Sequence, residues 1–175
     1  QNLSSCRVNY YPMDIELLFS RSPFVRQQTE HFAFIRPNKT EEIELPAGET
    51  GFTFDLPEEF RNSNLMVEIT AGGIKKSQTY NANSLDIQII ENYGYLRAMF
   101  QDTGKLLSRV YVKVYARMKG SNEVCFYKDG YTDLRARFDY VSLNTSELDD
   151  VEKFAILILS EDYGAVIREA IPPTR

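Results

Sequence analysis

Residues 110–118 read VYVKVYARM, and they give the clearest indication of the fold class. Apolar residues occupy every second position from Val110, and the positions between them hold Tyr111, Lys113, Tyr115 and Arg117. Successive side chains point to opposite faces of a β-strand, so this strict alternation predicts a half-buried strand. Its polar face is a candidate surface for a ligand or partner, because exposed Tyr beside cations offers contact area at low entropy cost. The alternative is cross-strand pairing of these side chains on a solvated sheet.

The same two-residue period recurs along the chain. We predict further strands near Asp14–Phe19, His31–Ile35, Glu42–Leu45, Phe52–Leu56, Leu65–Thr70, Leu85–Glu91, Tyr95–Phe100, Glu123–Tyr127, Arg137–Ser142, Phe154–Leu159 and Ala165–Glu169. Turn-forming residues separate them about every 8–12 residues, a spacing typical of β-sandwiches. One helical turn is predicted at Ser146–Glu152, where Ser146 and Asp149 resemble a capping box.

Two segments indicate how the strands are grouped. The run FAILIL at 154–159 lacks alternation, which predicts a strand covered on both faces. The turn-forming sequence ENYGY at 91–95 predicts a domain boundary. We therefore predict two small antiparallel β-sandwich domains in tandem, at residues 1–91 and 92–175. The many short strands of the first domain are typical of immunoglobulin-like folds.

Charge and hydropathy narrow the classes of partner. The net charge is −5, and residues 1–91 carry all of it, with 8 Lys and Arg against 13 Asp and Glu. Residues 92–175 hold 12 of each. Nucleic-acid binding needs a coherent basic face, so we expect no nucleic-acid partner. The longest apolar run is FAILIL at 154–159, too short for a membrane span, so we expect no direct membrane insertion.

Several features favour an extracellular or cell-surface setting, with a cytoplasmic one as the alternative. The chain begins with Gln1, as a processed product or an excised fragment does. Asn-X-Ser/Thr sequons occur at Asn2, Asn38 and Asn144 as candidate glycosylation sites. Cys6 and Cys125 form a disulfide, which suits an oxidising compartment, or stay as two reduced thiols.

Catalytic and metal-binding signatures are weak. His31 is the single histidine of the sequence, so a metal site or a catalytic triad would have to be assembled by folding alone. Adjacent acids, such as Glu58 and Glu59, point to opposite faces in a strand or are solvated in a turn. We therefore expect no enzyme, no catalytic residues, no metal and no cofactor.

A family resemblance emerges over residues 92–175. The strand GYLRAMF precedes the turn DTGKLL, the strand VYVKVYARM and the segment EVCFYKDGYTDLRARFDY. This order resembles the carboxypeptidase regulatory-like domain, a transthyretin-type or prealbumin-like β-sandwich. Its Gly-Lys-Pro-Leu-like turn is matched by Gly104, Lys105 and Leu107, with Leu106 in place of Pro. Its Thr-Asp-x-x-Gly-x-Phe turn is matched by Thr132, Asp133 and Phe138, with Arg137 before the Phe.

The resemblance implies structural roles for the charged stretch KDGYTDLRARFDY at 128–140, which starts with Lys128, Asp129 and Gly130. Asp133 would accept backbone N–H bonds in an Asx turn, assisted by Thr132, and Phe138 would enter the core. Ala136 stands where the family has Gly, which suits a turn with positive φ. We predict positive φ at Ala136 and a gain in stability for Ala136→Gly. The alternative is calcium binding by Asp129, Asp133 and Asp139, whose spacing is not that of an EF-hand.

Together these features predict a non-catalytic structural and interaction module of a larger extracellular or surface protein. A protein or a glycan is the expected kind of partner. One alternative is a carbohydrate- or peptide-binding module that uses exposed Tyr and Arg side chains. A second alternative is the accessory domain of an enzyme. The sequence leaves the oligomeric state open.

Overall fold

Alternating segments of the sequence form antiparallel β-strands, and the all-β fold class is confirmed. The computed structural model describes residues 3–24, 37–142 and 146–174. In chain order the elements are β1 Ser5–Pro12, α1 Ile15–Arg21, β2 Lys39–Glu44, β3 Leu65–Ala71, β4 Ile74–Tyr80, β5 Leu85–Ile90, β6 Tyr95–Phe100, β7 Tyr111–Met118, β8 Val124–Tyr131, β9 Arg137–Asp139, β10 Val151–Ser160 and β11 Gly164–Ala170. Short 3-10 helices lie at Glu58–Phe60, Glu91–Tyr93 and Ser146–Asp150.

The chain forms two units that interleave in sequence. The first unit contains Gln1–Ile15 and Arg26–Ala82, and the second contains Glu16–Val25 and Asn83–Arg175. The division after Ala82 lies ahead of the predicted boundary at residues 91–95, because β5 pairs with β6 of the second unit. The chain therefore passes between the units three times, after Ile15, Val25 and Ala82.

The first unit is built on one four-stranded sheet within the described residues, in the order β2–β1–β3–β4. Its core consists of Cys6, Val8, Tyr10, Phe60 and Leu65. The ring of Phe60 lies 5.5 Å from that of Tyr10. The predicted strand Phe52–Leu56 is irregular backbone, although Phe54 and Leu56 pack against this core. Its alternation therefore reflects side chains that cover the sheet, and the described residues contain no second sheet in this unit.

The second unit is a two-sheet sandwich. A four-stranded sheet in the order β11–β10–β7–β8 and a three-stranded sheet in the order β5–β6–β9 share one apolar core. Fully buried members of that core include Leu96, Val112, Val114, Tyr140, Phe154 and Ile156. The ring of Phe154 contacts those of Tyr127 and Tyr140 at 5.0 and 5.8 Å. This unit has the sandwich architecture that the sequence predicts for the C-terminal half.

Strand β10, which contains the FAILIL run, lies between β11 and β7. Phe154, Ile156 and Ile158 belong to the sandwich core. Ala155 and Leu157 point to the opposite face and are also fully buried. Both faces of β10 are therefore covered, as the missing alternation predicts.

Other segments differ from their predictions. Asp14–Phe19 was predicted as a strand, but α1 occupies this region, with Ile15, Leu18 and Phe19 at the i, i+3, i+4 spacing of one helix face. The alternation analysis missed β1, and it missed β4 because its side chains are almost all exposed. The predicted strand His31–Ile35, including His31, lies outside the described residues. No helix in the described ranges is long and apolar enough to cross a membrane.

Candidate functional site

The outer face of the larger sheet of the second unit carries the sequence-predicted surface. Tyr111, Lys113, Tyr115 and Arg117 share this face of β7 and are half-buried there. Lys153 of β10 pairs in register with Arg117 and points to the same side. We call these five side chains the docking face. Residues 16–24, which belong to the second unit, lie against it, and we call this segment the strap.

A polar cluster fixes the start of the strap. The Nζ atom of Lys113 lies 2.9 Å from Glu16 Oε1, and the Lys113 side chain is 17% exposed. The hydrogen bond to Glu16 raises the pKa of Lys113. The Tyr111 hydroxyl lies 2.9 Å from Asp129 Oδ2 and 3.3 Å from Glu16 Oε1. Burial, and then the hydrogen bond to Asp129, raise the pKa of Tyr111, so its phenol stays protonated and donates.

Aromatic contacts fix the rest of the strap. Phe19 is almost fully buried, and its ring meets the ring of Tyr115 edge-on at 5.6 Å. The guanidinium of Arg117 lies 4.2 Å from the centre of the Phe24 ring, and Lys153 Nζ lies 5.2 Å from it. Such cation–π contacts contribute roughly 0.5–2 kcal/mol each, depending on desolvation. The docking face therefore binds a segment of its own chain.

This arrangement changes the prediction for the β7 face. The four β7 residues were predicted to form an exposed surface for an outside ligand, or to pair with neighbouring strands. The structure places them together under the strap, and it also shows the cross-strand pairing of the alternative, with the Tyr111 and Tyr115 rings 5.4 and 5.9 Å from those of Tyr131 and Phe126 on β8. The sequence analysis missed the strap residues Glu16, Phe19 and Phe24. The helical spacing of Ile15, Leu18 and Phe19 was the signal that could have found them.

A pocket of about 780 Å³ adjoins the docking face at one end of the second unit. Its lining includes Glu16, Arg109, Tyr111, Asp129, Glu161 and Asp162. Two of its carboxylates, on Glu16 and Asp129, already hydrogen-bond to Tyr111. The pocket thus offers carboxylates, a protonated phenol and a guanidinium, which suit binding better than covalent chemistry. Within the described ranges, no group of three potential metal-ligating side chains is present.

Thr132 joins two loops at this end of the second unit. Its Oγ1 accepts a hydrogen bond from Val110 N at 3.0 Å and donates one to Leu107 O at 2.8 Å. Its backbone N donates to Val110 O at 2.9 Å, and its carbonyl accepts from Arg109 N at 2.9 Å. Thr132 is buried, so these bonds hold the 107–110 segment firmly against the 131–137 turn.

The 131–137 turn itself is fixed by the side chain of Asp133. Asp133 Oδ1 accepts hydrogen bonds from the backbone N–H groups of Arg137 and Arg135, at 2.9 and 2.8 Å. These bonds, chiefly that from Arg137, lower the pKa of Asp133. Ala136 is buried with φ of 60°, in the left-handed region. Phe138 lies in the core, and a Cβ at Gly130 would approach its ring to 2.9 Å.

Three exposed apolar side chains lie on or beside the two segments that Thr132 joins. Leu134 is 92% exposed at the turn, Tyr131 is 65% exposed, and Leu106 is 49% exposed. Leu106 precedes Leu107, whose carbonyl accepts the Thr132 hydrogen bond, and it forms an isolated β-bridge with Met99 near the end of β6. We call Leu106, Tyr131 and Leu134 the apolar tip.

Both cysteines are free thiols in the structure, in which no Cys6–Cys125 bond is formed. Cys6 is buried in the core of the first unit, and Cys125 lies on β8 of the second unit. Each is therefore held by packing in its own sheet. The Cys125 Sγ atom lies 3.8 Å from the carbonyl of Ala116, on the neighbouring strand. Burial raises the pKa of Cys125, which keeps it protonated.

Comparison with known proteins gives the family. Residues 84–175 match the family model described as the AbpF C-terminal domain, more than half of the chain. The chain belongs to this family. Residues 1–67 match the model of the AbpF seventh immunoglobulin-like domain. A curated relative named Actin-binding protein F, from Dictyostelium discoideum, is 42% identical over 172 residues, which is 98% of this chain. The chain spans about 7% of the length of that relative.

The AbpF matches confirm two immunoglobulin-like domains in tandem. They do not support the carboxypeptidase regulatory-like family, to which residues 92–175 show only a resemblance of short motifs. The strap lies within the stretch that matches the seventh-domain model, yet it packs on the unit that matches the C-terminal model. Sequence domains and structural units therefore do not coincide here.

The expected extracellular or cell-surface location is wrong. The relationship to an actin-binding protein contradicts it, because actin filaments lie inside the cell. Glycosylation at the sequons of Asn2, Asn38 and Asn144 stays a prediction from sequence, without the extracellular location that the sequons favour. Asn38 is exposed, but the Thr40 hydroxyl of its sequon donates a hydrogen bond to Asn9 Oδ1 at 2.8 Å. Asn2 and Asn144 lie outside the described residues.

Proposed function

We propose that the chain is a non-catalytic protein-interaction module and that its partner is actin. The observation that carries this proposal is the 42% identity to an actin-binding protein over 98% of the chain. Identity at that level along both units indicates that whatever surface the relative uses in this region has its counterpart here. The relative is far longer than this chain, so its actin contacts can also lie in other parts of it.

The apolar tip is the part of the second unit that best suits protein binding. It combines three exposed apolar side chains on two segments that are hydrogen-bonded to each other, and Leu134 is 92% exposed. The turn is held by Thr132 and Asp133, so docking it costs little conformational entropy. A prearranged apolar side chain that enters a partner's pocket is a common source of binding energy at interfaces.

Co-sedimentation of the 175-residue chain with filamentous actin tests the proposal. We expect the chain to pellet with the filaments and Leu134→Ser to weaken binding about tenfold or more, the effect of losing roughly 1.4 kcal/mol. Ile74→Ser is the matched control, because Ile74 is an exposed apolar residue, 64% exposed, on β4 of the first unit. Equal weakening by both variants would argue against the apolar tip. Failure of the wild-type chain to pellet would argue against actin as its partner.

A structural spacer is the second candidate function. It is favoured by the small share of the relative that this chain represents, about 7%, since one small module in a long protein often serves to separate others. A spacer would leave the filament pellet unchanged and would bind no partner through the apolar tip.

The peptide- or carbohydrate-binding alternative relied on the exposed Tyr and Arg side chains of β7. Because the strap covers those side chains, an outside ligand would have to displace it first. An accessory role beside an enzyme needs a catalytic neighbour, and no observation on this chain favours that role over actin binding.

A further inference from the structure

The strap is joined to one unit by the chain and to the other by its contacts. Ile15, directly before the strap, belongs to the first unit, and so do the described residues 37–82 that follow the strap in the chain. Residues 16–24 themselves pack on the docking face of the second unit. The strap is therefore a short peptide ligand that this chain supplies to its own second unit.

Three contacts define the ligand chemistry that the docking face accepts. An acid, Glu16, pairs with Lys113 at 2.9 Å. An aromatic ring three residues later, Phe19, meets Tyr115 edge-on at 5.6 Å. A second ring five residues further on, Phe24, lies against two cations, with Arg117 at 4.2 Å. An acid followed by two spaced aromatic rings is a specific requirement, because each element meets a different kind of group.

The strap is separable from the sandwich core. Within the described residues, the core cluster of the second unit contains neither the strap residues nor the four β7 residues of the docking face. The strap can therefore leave while the two sheets stay packed together. The vacated face would then expose Lys113, Arg117 and Lys153 beside the Tyr115 ring. Two carboxylates share that face: Asp129 pairs in register with Lys113, and Glu169 lies 2.9 Å from Lys153.

We propose that the docking face also accepts the strap of a second copy of this chain, so that two copies exchange straps and form a dimer. A second copy carries the required acid and both rings at the required spacing, and every contact in the dimer is one already seen within a single chain. Exchange of an identical element is a low-cost route to association, since no new interface has to be built. The carboxylate of Glu16 and the ammonium of Lys113 complement each other in charge. This pairing does not depend on actin binding.

A charge-reversal experiment on the full 175-residue chain tests the exchange. Glu16→Lys places two cations together within one chain, and Lys113→Glu places two carboxylates together. When the two variants are mixed, the strap of each matches the docking face of the other. We expect each variant alone to stay monomeric in size-exclusion chromatography with light scattering, and the equimolar mixture to give a species of twice the mass.

The double variant Glu16→Lys/Lys113→Glu is the control. Its ion pair is restored within one chain, so we expect it to match the wild type in oligomeric state and in hydrogen-exchange protection of β7. A mixture that remains monomeric while the double variant matches the wild type would overturn the proposal. So would a dimer that forms equally well from either single variant alone, because that dimer would not use the Glu16–Lys113 pair.

If a single variant fails to fold, as judged by circular dichroism, a second measurement tests the exchange of straps. Wild-type chain is mixed with an isotope-labelled wild-type copy at high concentration and examined by native mass spectrometry. We expect dimers of mixed mass for the wild type and their loss for Phe19→Ala. Monomers alone, or mixed dimers that persist in Phe19→Ala, would overturn the proposal.

Discussion

Replacing Phe19 by Ala should weaken the second unit, although Phe19 lies early in the chain, in the stretch that matches the seventh-domain model. The Phe19 side chain is 1% exposed and packs edge-on against Tyr115 of β7. Truncating a buried Phe to Ala typically costs about 3–5 kcal/mol, because both the burial and the packing are lost. The strap makes its contacts with the second unit, so the loss should fall there.

Residue-resolved hydrogen exchange measures where the loss falls. A tenfold change in an opening equilibrium corresponds to about 1.4 kcal/mol, so amides that open with the docking face should exchange about two to four orders of magnitude faster. We expect this acceleration in β7 and β10. The amides of β1 and β3, whose sheet does not hold the strap, should keep their wild-type rates.

Phe60→Ala is the control, because it makes the same truncation in the first unit. Phe60 lies in the core of the first unit, 5.5 Å from Tyr10, and is nearly as buried as Phe19. Its truncation should accelerate exchange in β1 and β3 and spare β7. If Phe19→Ala instead accelerated β1 and β3 and left β7 and β10 unchanged, the assignment of the strap to the second unit would be refuted.

Three further variants test single features by urea denaturation. Tyr140 is fully buried, and its hydroxyl has no hydrogen-bond partner among the described residues, so Tyr140→Phe should raise the unfolding free energy by about 1 kcal/mol. A fall in the unfolding free energy of similar size would show that the Tyr140 hydroxyl has a hydrogen-bond partner. For Ala136→Gly, relief of left-handed strain, about 1–2 kcal/mol, opposes added unfolded-state entropy, about 0.4–1, and a lost buried methyl, about 0.8. The net change should therefore lie within about 1 kcal/mol of zero, so the gain in stability expected from the φ angle alone is largely cancelled, whereas Ala136→Val should cost more than that. Burial raises the pKa of Glu68, but hydrogen bonds, first that from Lys75 at 2.8 Å, outweigh it and lower the pKa below its ordinary value of 4.5. Its stabilisation is thus complete above pH 4.5 and fades as the pH falls through the lowered native pKa, and Glu68→Gln should flatten this acid limb of the stability curve.

Sequence alone predicted strands that bury one face or both faces against other parts of the protein. β7 alternates because one of its faces lines the core, and β10 lacks alternation because both of its faces are buried. β4 gave no such signal, because it is an edge strand with seven mostly exposed residues, including Lys75 and Lys76. A pattern of buried positions cannot reveal a strand that buries almost nothing.

The strap shows a different limit of sequence reasoning. A seven-residue helix is too short to be stable by itself, so α1 depends on contacts that the local sequence does not encode. Its partners, Lys113 and Tyr115, lie roughly 100 residues away in the chain. The charged residues of β7 were correctly singled out, but only the folded chain shows that what covers them is another part of the same molecule.

The interleaved order of the two units also sets a sequence of events during synthesis. The strap leaves the ribosome early, but the last strand beneath it, β10, follows roughly 130 residues later, on the order of 10 s at ordinary rates of translation. All strands of the first sheet have emerged before that interval ends, since β1 precedes the strap and β4 ends at Tyr80. For that time Phe19 has no docking face, so the growing chain must carry an uncovered aromatic segment that chaperones, or the strap-free face of a neighbouring copy, can reach first.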